Sequence, residues 1–357
     1  MMTKRIVSAL VLYALLGTSV PALAQTFYAN GAGATFEIRF NTGYTTQRGA
    51  VILEAATWWA DRLASDVTIV LDVSFDTQTE GGLDLPCLEN EALLGLGGTA
   101  SLHANFPGAQ PDVAYPQALA NALAGYDVAP GTADAGLLFN AKLDDPRWSA
   151  CLDGGDWDYG FGPPRDSRDV SFYHTALHEL AHGLGFQTYA NFETGELFKF
   201  TDYPQGINDA FLLRLRSVDG IVLRSLTANG MTDAQRAAAA KSNGNLVWQG
   251  ARVDAMAGIL SAGTRQGKVQ MYAPGVYRAG VSVSHFDTRL VPDELMEPWT
   301  APTFDARLAE AAMHDLGWGV VSGTRLPPLE VGDSGGGAAL LLTFVVLATA
   351  MRRRKRQ

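Results

Sequence analysis

Cysteine is nearly absent from this chain of 357 residues, which has only Cys87 and Cys151. Two cysteines so far apart have no metal-ligand spacing, which excludes zinc-finger and iron–sulfur sites. In an oxidising compartment the pair can form a disulfide, restricting the unfolded chain by about 4 kcal/mol on the entropy model. Basic residues are also in deficit, 27 Lys and Arg against 37 Asp and Glu. Histidine is scarce, at six. There is no internal repeat, so a solenoid or propeller is not expected.

The basic residues that do occur are concentrated at the ends. Lys4 and Arg5 precede an apolar run over 6–16, and Ala22-Leu23-Ala24 has the small-x-small pattern of a signal peptidase site. Residues 1–24 are therefore expected to be a signal peptide, with the mature chain starting at Gln25 and the protein leaving the cytoplasm. Five more basic residues, Arg352 to Arg356, close the chain. Between the two ends, 20 basic residues face 37 acidic ones, a formal charge of −17. A surface so acidic repels nucleic acid and suits an exported protein.

The C-terminal arginines follow an apolar stretch over 338–351, itself preceded by Ser334-Gly335-Gly336-Gly337. The stretch is at or just below the roughly 17 residues needed to span a bilayer, and the basic end belongs on the cytoplasmic side. An ordinary single-pass anchor is one reading. The three-part tail also resembles the GlyGly-CTERM sorting signal of Gram-negative bacteria. That resemblance implies cutting near the glycines by a rhomboid-type protease, passage through type II secretion machinery, and a final place at the cell surface or outside the cell. Membrane contact would then be confined to the tail, at 334–357, behind a linker at 321–333.

The body begins with a half-buried strand pattern over 34–40, a helix over 48–64 and a β-branched strand over 67–75. Strand, helix, strand predicts a parallel crossover with helices packed on a sheet. A glycine-rich loop is expected over 81–98, an edge strand near 101–105, a helix over 116–125 and a short strand over 136–140. Residues 144–169 read as a long loop. Beyond 186 the expectations are a helix over 208–215, strands near 220–223, 246–249 and 269–272, a surface helix over 232–241 capped by Thr232, and an amphipathic helix over 304–316 closed by Gly317.

The chemistry is concentrated in Ala176-Leu177-His178-Glu179-Leu180-Ala181-His182-Gly183-Leu184. Two histidines four apart on a helix project from one side, so His178 and His182 can ligate one ion. Leu177, Leu180, Ala181 and Leu184 bury the other side, with Asp169 or Ser171 as N-cap. Catalytic zinc takes three protein ligands and leaves one position open. Glu179 is the expected general base, taking a proton from the attacking water and passing it to the leaving amine.

A third ligand must come from elsewhere. Gly185 fits the glycine of the pattern HExxHxxGxxH, where a positive φ turns the chain, but the position of its third histidine is Thr188. Further on stand Ser284-His285-Phe286 and Glu294-Leu295-Met296. Together these segments resemble the leishmanolysin-like metzincins, zinc metallopeptidases in which an insertion separates HExxHxxGF from Ser-His-Phe and Glu-Leu-Met. The resemblance implies His285 as third zinc ligand, Met296 as the Met-turn residue, and a protein or peptide substrate cut by metal-activated water. It further implies an α+β metzincin-like fold, a twisted mixed sheet with an active-site helix and a mostly irregular or helical C-terminal lobe. On that frame 25–186 is the N-terminal catalytic lobe, 187–281 an inserted subdomain, and 282–320 the C-terminal lobe.

Other readings stay open. A gluzincin would use Glu193 or Glu196 as third ligand. Asp202 and Asp209 could hold a structural Ca2+, with a solvated loop as the alternative. His174 could stand beside the site, whereas His103 and His314 read as structural or exposed. A non-catalytic surface adhesion or matrix protein, or a cell-wall peptide amidase, would retain the same motif.

Overall fold

The computed structural model describes residues 25–321 and the backbone of Thr349–Arg354. The leader at 1–24, the linker after Val321 and nearly all of the sorting tail lie outside the described residues.

The first strands are β1 (Gln25–Asn30) and β2 (Thr35–Thr42), joined as an antiparallel hairpin. In β2, Phe36, Ile38 and Phe40 alternate into the core, the period of two that the sequence shows. Helix α1 (Thr46–Ala60) starts where the Thr45 side chain accepts the Arg48 N–H. It crosses to β3 (Ile69–Asp76), which pairs parallel with β2 as expected. Next come β4 (Glu91–Thr99), α2 (Gln117–Ala124) and β5 (Ala135–Asn140). The sheet order is β1-β2-β3-β5-β4, with β5 parallel to β3 and β4 antiparallel to β5. The backbone of Thr349–Arg354 adds an antiparallel strand to the outer edge of β4. The chain is thus mixed α and β, as the α+β reading requires.

β4 corrects the expectation of a loop over 81–98. Its glycines are not loop glycines. Helix α3 (Phe172–Gly183) lies directly on the strand, and a Cβ on Gly97 would stand 2.1 Å from the carbonyl oxygen of Glu179. Glycine here permits a helix and a strand to touch backbone to backbone.

α1 and α3 lie side by side, with Trp59 Nε1 donating to the carbonyl of Leu177 at 3.1 Å. Phe172, at the start of α3, packs against Phe75, Phe139 and Trp157. The expected disulfide is formed, Cys87 to Cys151.

After α3 the chain makes short elements: α4 (Asp233–Ala239) with a Thr232–Gln235 capping box, α5 (Ala251–Met256), and α6 (Arg307–Leu316), ended at Gly317. The expected helix over 208–215 is instead the strand Tyr203–Asp209, a tight turn at Leu212–Arg214 and the strand Leu215–Asp219. Asp209 decides this, because its carboxylate accepts the Leu212 N–H and locks the turn. From residues 187–281, Tyr189, Phe200 and Ile207 form a small apolar cluster with Leu102 and Ala114. Phe192, Phe211, Leu215, Trp248 and Met271 belong to the same apolar cluster as Phe36, Phe172 and Leu316.

Candidate metal centre

α3 begins at Ser171, whose hydroxyl accepts the His174 N–H at 3.2 Å, and carries His178, Glu179 and His182, all fully buried. Gly185 follows with φ +120°, so the chain reverses and the Phe186 carbonyl comes back to 2.8 Å from Nδ1 of His182. Any side chain at Gly185 would also run into Pro116. The glycine therefore fixes a ligand as well as ending a helix.

His285 comes from a segment with almost no regular structure. Two backbone bonds join it to Tyr272: Val283 N–H donates to the Tyr272 carbonyl, and Tyr272 N–H to the His285 carbonyl, each at 2.8 Å. The reversal is made at Val283, buried and at φ +78°, a conformation a β-branched residue adopts only when its surroundings enforce it. It brings the Val281 carbonyl to 2.7 Å from Nδ1 of His285. A further tie is Thr188 N–H donating to Ser284 Oγ at 3.2 Å. The segment bearing the distant histidine thus docks at the position where the compact pattern would have its own.

His178 has its Nδ1 2.8 Å from the Leu295 carbonyl. All three imidazoles therefore spend Nδ1–H on a backbone carbonyl, and a neutral imidazole has only one proton. What remains is three Nε2 lone pairs facing one another, at 2.9 Å between His182 and His178 and 3.2 Å from each to His285. Lone pairs so close repel unless a cation sits among them. Burial, reinforced by mutual repulsion, pulls His178 and His182 well below the ordinary imidazole pKa, and burial pulls His285 to about 4. The donors are thus neutral at physiological pH. Tetrahedral ligands at about 2.0–2.1 Å from one ion would stand about 3.3 Å apart, close to the spacing found. The donor set fits a transition metal ion of the kind imidazole prefers.

Glu179, next to His178 on α3, is buried, its carboxylate lying against β4 where a Cβ on Gly95 would be 3.1 Å from Oε1. Met296 is buried in the turn beyond, and its carbonyl accepts the Phe286 N–H at 2.9 Å, next to His285.

The remaining candidates do not join. Among the described residues the group able to hold an ion is His178, His182 and His285. Glu193 is exposed and Glu196 pairs with Lys199, which leaves the gluzincin reading without its ligand. Asp202 and Asp209 are not part of that group. Asp202 is exposed, while buried Asp209 accepts the Thr188 hydroxyl and the Tyr189 and Leu212 N–H groups. His174 stacks on Phe304 at 4.0 Å, His103 meets Ser101, and His314 faces the Trp318 carbonyl. Sequence reasoning missed Gly95 and Gly97 as contacts of Glu179, and Asp209 as the anchor of Thr188.

Comparison with family models, curated proteins and solved structures found no match to this chain.

Proposed function

We propose that the protein is an exported zinc-dependent endopeptidase of the leishmanolysin-like metzincin kind. The observation that supports this reading is the convergence of three Nε2 atoms, two of them from α3, which also carries the buried Glu179 between those two histidines. A site of purely structural use has no need of a carboxylate next to a three-ligand ion.

His178, His182 and His285 hold the zinc. Once bound, zinc supplies Lewis acidity, polarising the scissile carbonyl and acidifying water. Glu179 takes the proton of the attacking water and returns it to the departing amine nitrogen. β4, an antiparallel strand directly against Glu179, offers its outer edge to an extended substrate by strand addition. That is the edge on which Thr349–Arg354 lies, so a substrate would need the place the tail holds. Removal of the tail after export, as the sorting-signal resemblance implies, would leave it free.

The test is metal analysis of the purified protein with cleavage assays on casein, peptide libraries and peptidoglycan, with and without a chelator. Glu179→Gln should keep its zinc and lose about two orders of magnitude or more in turnover. Wild-type turnover by that variant would reject the role, and activity confined to peptidoglycan would favour the amidase.

A further inference from the structure

A buried carboxylate is costly unless its oxygens are met by donors. Glu294, 2% exposed, has two such donors in backbone: Oε2 accepts Met296 N–H and Oε1 accepts Ala309 N–H, each at 2.8 Å. Ala309 is the third residue of α6, whose N-cap Ala306 provides no side-chain acceptor. Glu294 thus caps from outside a helix that cannot cap itself, both its oxygens accepting backbone N–H groups even though burial pushes its carboxyl up to about 8. Its own N–H donates to Glu297 Oε1 at 3.1 Å, and Leu295 N–H donates to the Asp305 carbonyl at 2.8 Å. The 294–297 backbone is held on several sides.

Two carbonyls of that backbone face the metal centre. Leu295 accepts Nδ1–H of His178 at 2.8 Å, and Met296 accepts the N–H of Phe286, the residue after His285, at 2.9 Å. We propose that Glu294 is a positioning residue for the metal centre, its carboxylate fixing the Leu295 and Met296 carbonyls that orient His178 and the His285 segment. The inference rests on reading the three histidines as a metal centre. Glu294 touches neither ion nor substrate and acts only through backbone. A glutamine there puts an N–H2 group where an acceptor is required, so one of the two backbone N–H groups loses its partner.

The experiment measures zinc affinity of the full chain by competition with a chromophoric chelator, which needs no peptidase activity. Asp315→Asn is the matched control. Asp315 is equally buried and accepts from Trp248 Nε1, in the strand before α5, and from Arg252 N–H and Val253 N–H in the first turn of α5. Glu294→Gln should weaken zinc binding by roughly 10–100-fold, as loss of an outer support does, whereas Asp315→Asn should only lower stability. In nitrogen-15 spectra the Nδ1–H signal of His178 should shift in the first variant alone. Zinc affinity no weaker in Glu294→Gln than in Asp315→Asn would overturn the proposal. If Glu294→Gln does not fold, Glu294→Asp, shortened by one methylene, is read by the same criterion. A wild-type chain that binds no zinc would overturn the metal centre and this inference together; zinc bound without hydrolysis would remove only the peptidase reading.

Discussion

The donors of the centre come from two regions built by different physics. α3 brings His178 and His182 together by its own period, and packing on β4 and β5 holds it whatever its histidines do. The segment over 281–297 has no such period. His285 is placed by backbone bonds to Tyr272, by Thr188 N–H donating to the neighbouring Ser284 Oγ, by a left-handed turn at a buried valine and, on the inference above, by the Glu294 carboxylate nine residues on. A helix delivers two ligands cheaply in sequence terms, while a third from a loop needs many separate supports.

The sharpest way to break this contrast is to delete one ligand from each region. His182→Ala and His285→Ala should each weaken zinc binding by more than about 100-fold, beyond the 10–100-fold expected for an outer partner. The metal-free proteins should then differ. In His182→Ala the helix keeps its backbone bonds, so amide exchange in α3 should change little. In His285→Ala the Val281 carbonyl loses its partner and exchange over 281–286 should quicken. One full equivalent of tightly bound zinc in His285→Ala would disprove the long-range ligand.

A second test strikes the contact that makes α3 self-sufficient. Alanine at Gly97 would place its methyl 2.1 Å from the Glu179 carbonyl oxygen and 2.8 Å from its carbon, both backbone atoms that cannot rotate away. Gly97→Ala should cost about 3 kcal/mol in a denaturant titration, at the upper end of overpacking. Gly136, on the adjacent strand and cross-paired with Gly98, has nothing within 4 Å of such a methyl, so Gly136→Ala should fall within about 0.5 kcal/mol of wild type. Equal effects at the two glycines would show that α3 does not depend on close approach to β4.

These contacts also mark what could be read without a structure. The hydrophobic period of α1, the alternation in β2, the β-branched run of β3 and the capped, periodic α3 are local, so the sequence displays them openly. β4 is hidden because its glycines answer to Glu179 on α3, 82 to 84 residues away. The run Phe211-Leu212-Leu213-Arg214-Leu215 is apolar enough for a helix or a strand, and what decides between them is Asp209, which accepts Leu212 N–H nearby and Tyr189 N–H from twenty residues back. α5 is missed because its capping acceptor, Asp315, sits on α6. The pair His178 and His182 is legible from spacing. His285 is not, and came forward only through the residues around it and the family they resemble.

The smallest expected effect separates the regions by charge. In the sheet lobe, Asp134 accepts Val70 N–H at 2.7 Å, Asn121 Nδ2 at 2.7 Å and Gln117 Nε2 at 3.0 Å, and burial still pushes its carboxyl up to about 6. A carboxyl whose folded pKa lies above its unfolded value of 3.8 holds its proton more tightly in the native state. Its contribution is therefore greatest at low pH and is lost as pH rises from about 4 to 6, an effect on the order of 1–3 kcal/mol. The His285 imidazole, pulled down to about 4, has the opposite sense in the metal-free chain: native stability falls as acid takes the pH from 6.5 toward 4. Comparing wild type with Asp134→Asn isolates the first term, because every other titrating group cancels. The wild-type advantage in unfolding free energy should shrink from pH 4 to pH 7 and stay level above that. An advantage that grows with pH would mean that the three donors around Asp134 outweigh its burial, and that this part of the sheet, like the histidine cluster, is weakened by acid.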